Sequence, residues 1–168
     1  MKLIFAALTF LITLSAMATE FKLAVITSEF DRDSTDFFID TNDAQEITSL
    51  RYIITTPTGQ IKEDTSIPAQ TVLTDGAVMA VRNGREVIRL KVDTATFNVK
   101  TGGPVRLTYL SSGVSNSWKY VPFKLVKEGE GFKLTDEEGS PVNKLFVKVN
   151  RHPIFGVIGI KAINYYFE

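Results

Sequence analysis

The sequence predicts an all-β domain, an antiparallel β-sandwich with a closed or partly open β-barrel as the alternative. Three observations carry that prediction. Beyond position 18, apolar residues alternate with polar ones or come in short β-branched and aromatic runs. Gly, Asn, Asp and Pro break those runs at close intervals, as in chains of many short strands. Setting aside the first 18 of the 168 residues leaves 150, enough for one domain over residues 19–168 with a core of its own.

The first eighteen residues, MKLIFAALTFLITLSAMA, are read apart from the fold. Lys2 precedes an apolar run from Leu3 to Leu14, and Ala16-Met17-Ala18 puts small residues where a signal peptidase tests them. This pattern predicts a cleavable signal peptide over 1–18 and bacterial export to the periplasm or the medium. The apolar run is shorter than the roughly 20 residues of a spanning helix. With no Cys in the chain there is no thiol for a lipid anchor and no disulfide, so stability must come from burial.

Strands are expected over 21–27, 37–40 and 47–55, the last ended by Pro57-Thr58-Gly59. Short strands over 72–74 and 77–81 flank Asp75-Gly76. Asn83-Gly84 then predicts a type I′ hairpin turn, because both central residues of that turn need positive φ. Further strands follow over 86–92, 105–110, 118–126, 132–134, 144–149 and 154–167. Between them lie Gly102-Gly103-Pro104, a serine-rich loop over 111–117, the turns over 129–131 and 136–141, and His152-Pro153. Val105, Leu107 and Tyr109 alternate with Arg106 and Thr108, and Leu145, Val147 and Val149 with Phe146, Lys148 and Asn150, so each strand buries one face. About ten strands must either stack as two sheets or close into a barrel. Short, unequal strands whose apolar faces switch often favour stacking, with strands exchanged between the sheets.

The neutral total hides an asymmetry. Residues 19–76 hold four basic and eleven acidic side chains, and residues 77–168 hold fourteen basic and eight acidic. Either the strands of the two halves interleave and the charges mix, or the molecule is electrostatically polar. In the second case its acidic loops suit cations, and its basic strands suit anionic glycans or lipid head groups. Nucleic acid is excluded as a partner, since no dense Arg/Lys cluster is interleaved with aromatics and the pI is 6.6.

Four groups of residues are candidate sites. Asp31-Arg32-Asp33-Ser34-Thr35-Asp36 offers carboxylates for calcium. An EF-hand is excluded, because Asp36 stands at the turn glycine and Asn42 at the terminal glutamate. That leaves a looser site drawing on Asp31, Asp33 and Asp36, with Asp40 or Asp43 within reach as a further ligand, against a solvated loop with Asx turns. Trp118, Tyr120 and Lys124 share one face of an expected strand. Exposed beside the serine-rich loop, they would stack on a sugar ring or anchor a protein; otherwise Trp118, the sole Trp, fills the core. His152 is the sole imidazole, and Ser111, Ser112, Ser115 and Ser117 are available as nucleophiles. Yet no serine sits in G-x-S-x-G and no helix follows, so a turn histidine is the expectation. Glu128 with Glu130, and Glu137 with Glu138, resemble glycosidase pairs only in composition, and they lie in Gly-flanked turns.

The expectation is an exported, non-catalytic binding or envelope-associated structural domain. It would bind a protein or glycan of the cell envelope through Trp118, Tyr120 and Lys124, with no cofactor. The alternatives are a small outer-membrane β-barrel and a carboxylate-dependent hydrolase.

Overall fold

The structure, a computed structural model, describes residues 18–30, 32–76, 78–82, 86–112 and 116–168; side chains are not described at 75, 78–82, 86, 111, 112 and 116–118. The expected export segment lies outside the described residues apart from Ala18, and so does the Asn83-Gly84 turn.

The described chain is mostly strand, arranged as two sheets and not as a closed barrel. β1 (Thr19–Ser28), β2 (Ser34–Thr41), β3 (Ile47–Thr55) and β4 (Ile61–Pro68) are followed by a short helix, α1 (Ala69–Asp75). Next come β5 (Val78–Arg82), β6 (Glu86–Val92), β7 (Gly102–Ser112), β8 (Asn116–Glu128), β9 (Gly131–Thr135) and β10 (Pro141–Val142). β11 (Lys144–His152) and β12 (Gly156–Tyr166) complete the fold. The first sheet has the order β12-β11-β1-β2-β3-β4, the second β10-β9-β8-β7-β6-β5.

Three expectations need correction. Pairing is not wholly antiparallel: β1 and β11 run parallel, with Val25 opposite Lys144 and Ser28 opposite Val147. A parallel pair needs a crossover connection, and here the crossover includes the entire second sheet. Nor do strands exchange often. Among the described residues the chain changes sheet at α1 and again between β10 and β11. Third, the stretch 72–74 is helical. Pro68 precedes α1, and Ala69 and Val72, three positions apart, both point into the core. Gly76 ends the helix at φ +72°, its N–H bonded to the Val72 carbonyl at 2.6 Å; a left-handed residue in that place favours glycine.

Alternation places the core as expected. Phe37 and Ile39 of β2, Leu50, Tyr52 and Ile54 of β3, and Leu145 and Val147 of β11 face inward from the first sheet. Ile88 and Leu90, Val105 and Leu107, Phe123 and Leu125, and Phe132 and Leu134 meet them from the second, in one cluster. Two contacts fix how the sheets face each other. The buried Tyr109 hydroxyl donates to Ser28 Oγ at 3.1 Å, and Phe123 meets Tyr165 edge-on with centroids 5.2 Å apart. An apolar void along this seam, walled by Leu23, Phe37, Leu107 and Phe123 among others, is about 10 Å³, at most room for one water. That void is too small for a ligand larger than water.

The charge halves mix in part. The second sheet is drawn wholly from residues 78–142, whereas the first combines the acidic stretch 19–68 with β11 and β12. Those two strands bring Lys144, Lys148, Arg151 and Lys161 to the acidic sheet.

Candidate functional site

Tyr120 and Lys124, two of the expected site residues, are exposed on β8 of the second sheet. β7 pairs over its whole length with β8, with Thr108 opposite Tyr120, Arg106 opposite Pro122 and Pro104 opposite Lys124. On the other side of β7, Lys91 lies opposite Arg106 and Arg89 opposite Thr108. Val105, Leu107, Phe123 and Leu125 are buried, so the residues between them, Arg106, Tyr120, Pro122 and Lys124, turn outward.

Tyr120 is 52% exposed. The Arg106 guanidinium lies over its ring, 5.1 Å from the centroid, within the range of a cation–π contact. Lys124 is exposed, and its Nζ donates to the Glu137 carbonyl at 3.2 Å. Next to the pair opens a shallow cleft of about 500 Å³, lined by Lys91, Asp93, Arg106, Pro122, Lys124 and Glu137. Among the described residues, Arg89, Lys91, Arg106 and Lys124 form no ion pair with a carboxylate, whereas Lys133 on the neighbouring strand is paired with Glu128. The face is therefore flat, aromatic and cationic, with uncommitted charge. Such a surface can stack on a planar or ring-shaped ligand and hold its anionic groups.

Of the three residues expected in the site, Tyr120 and Lys124 are exposed, four positions apart on β8. Trp118 is in β8 opposite Leu110, but its side chain lies outside the described residues. Arg106 was missed by sequence reasoning. Its outward direction is legible from the alternation in β7, but its position beside Tyr120 depends on the β7–β8 register, which the serine-rich connection does not declare.

The other candidates fall elsewhere. Asp31 lies outside the described residues. Asp33 is buried and ion-paired with Lys62 at 2.5 Å, and Asp36 pairs with Lys22 at 3.0 Å. Asp40 accepts from the Ser49 hydroxyl, and Asp43 is in the exposed β2–β3 turn. Asp33, Asp36 and Asp40 are thus committed to neighbouring strands. No group of three metal-ligating side chains occurs among the described residues. His152 ends β11, and its Nδ1 accepts the N–H groups of Ile154 at 3.2 Å and Phe155 at 3.4 Å. The side chains of Ser111, Ser112, Ser115 and Ser117 lie outside the description. Glu128 ends β8 and Glu130 lies in the β8–β9 turn, and Glu137 and Glu138 lie in the β9–β10 turn. No family model matches this chain, and no curated protein or solved structure matches it either.

Proposed function

We propose that the protein is an exported, non-catalytic binding module of the cell envelope, a β-sandwich that recognises a protein or glycan through the outer face of its second sheet. One observation carries the reading: an exposed tyrosine capped by an arginine that has no carboxylate partner among the described residues, held on paired strands. Hot spots of binding surfaces are enriched in Tyr, Trp and Arg, and a rigid scaffold lowers the entropic cost of using them. Export rests on the segment 1–18, and the two-sheet architecture argues against an outer-membrane barrel, which requires closure.

The test is retention of envelope components on immobilised protein. Tyr120→Ala and Arg106→Ala are each expected to weaken retention about tenfold or more while the thermal transition stays cooperative. Trp118→Ala separates its two roles: loss of binding with an intact fold puts it on the face, and unfolding puts it in the core. Retention unchanged in both the Tyr120 and Arg106 variants removes the proposal.

A further inference from the structure

The β11–β12 hairpin presents a second surface, on different residues. Its turn reads His152-Pro153-Ile154-Phe155-Gly156. Ile154 is 81% exposed and Phe155 61%, although Val147, Val149 and Ile160 behind them are buried. Two adjacent large apolar side chains at a protruding tip add nothing to the core and are unfavourable in water.

The tip is also internally satisfied. His152 Nδ1 accepts both the Ile154 and the Phe155 N–H, its ring lies against Phe155 with centroids 4.8 Å apart, and Pro153 has no N–H to satisfy. Gly156 turns the chain at φ +71°, a conformation that favours glycine. Backbone amides that would be costly in an apolar medium therefore already have an acceptor.

Charge completes the pattern. From Gly139 to Phe167 the chain has no Asp or Glu, but it has Lys144, Lys148, Arg151 and Lys161. Lys144 is tied to Glu168 at the far end. Lys148 lies opposite Ala162, next to Lys161, four residues or about 13 Å behind His152 at the usual rise of a strand. Glu29 on the β1–β2 turn touches the hairpin. Its carboxylate accepts the Val149 N–H at 3.0 Å, and its carbonyl accepts from Arg151 Nη2 at 2.7 Å. Arg32 on the same turn is exposed.

We infer that the hairpin tip docks onto an anionic lipid bilayer, with Ile154 and Phe155 entering the interface and Lys148, Arg151 and Lys161 meeting the head groups. A convex tip of two side chains falls far short of the roughly 800 Å² per partner that a stable protein interface buries. A fluid interface accepts so small a wedge, and Lys148, Arg151 and Lys161, on a hairpin with no acidic residue of its own, supply the complementary charge.

Vesicle flotation tests it. The chain from Thr19 onward contains both sheets entire, and its use prevents the apolar segment 1–18 from supplying the contact. With vesicles of equal parts phosphatidylcholine and phosphatidylglycerol the protein floats, and with phosphatidylcholine alone it floats less. The double variant Ile154→Ser/Phe155→Ser loses about tenfold or more on the mixed vesicles. Lys148→Glu/Lys161→Glu loses only the phosphatidylglycerol-dependent part. All these positions are exposed or partly exposed, and thermal melts check that each variant folds. The inference is overturned if the parent protein floats with neither vesicle, or if either double variant floats as the parent does. It is overturned equally if retention by an envelope fraction survives lipid extraction and depends on Ile154 and Phe155, which would make the tip a protein contact.

Discussion

The outer faces of the two sheets use the same residue types to opposite ends. On the first sheet, Phe38 has Lys22 and Arg51 at 5.9 Å from its ring centroid, and both cations are already spoken for. Lys22 pairs with Asp36. Arg51 grips Asp64 through Nε and Nη2, both at 2.7 Å, and reaches Glu20 at 2.6 Å. On the second sheet, Arg106 lies over the Tyr120 ring, and among the described residues it pairs with no carboxylate. A cation over an aromatic ring is thus structural where its hydrogen-bonding edge is occupied, and available for recognition where that edge is left open.

The largest expected effect comes from exchanging the two aromatics' roles. Tyr120→Ala should cost about 2 kcal/mol of binding free energy and leave stability within about 0.5 kcal/mol. Phe38→Ala should do the reverse: unchanged binding, and a stability loss of about 1–2 kcal/mol from the apolar area uncovered between Lys22 and Arg51. Denaturant midpoints and binding isotherms on the same two variants check both halves. Phe38→Ala impairing retention as much as Tyr120→Ala would abolish the distinction between the faces.

The two arginines come next. Arg51→Ala breaks a bidentate pair and a second contact that join β1, β3 and β4, so it should lower stability by about 1 kcal/mol, limited by solvent screening of these half-exposed groups. Arg106→Ala should leave the denaturant midpoint where it was. An equal fall in both variants would mean that the second face is as structural as the first.

How much of this was legible in the sequence depends on which forces each residue answers to. Strands β3 and β6 begin and end where the alternation of apolar residues does, because burial alone decides them. β4 was not anticipated: Ile61-Lys62-Glu63-Asp64-Thr65-Ser66 carries its charges on an edge strand, where they block further pairing and leave no apolar period to read. The Tyr52 hydroxyl donates to Glu63 at 2.5 Å, a contact that no local pattern announces. The outward direction of Tyr120 and Lys124 follows from the pleat, but Arg106 beside them follows from a register set across a loop. Ile154 and Phe155 were read as strand because they are apolar. Pro153 and Gly156 on either side were the available signal that these residues form a turn tip.

The smallest effect is acid sensitivity, and it separates the faces without any ligand. Hydrogen bonding to Arg51 holds the Asp64 carboxyl below its ordinary range. A carboxyl whose folded pKa is depressed contributes stability above its unfolded pKa and loses that contribution as the pH falls through the folded value. Stability of the parent protein should therefore decline as the pH drops below about 4, by less than the whole cost of Arg51→Ala, because both groups are solvent-screened. In Arg51→Ala the Asp64 share of that decline should vanish, flattening the acid limb of the stability profile. In Arg106→Ala the limb should keep the parent slope, since no carboxylate among the described residues pairs with that guanidinium. Denaturant midpoints between neutral pH and pH 3 measure the three slopes, and a flattened limb in Arg106→Ala would reveal a carboxylate partner on the face assigned here to recognition.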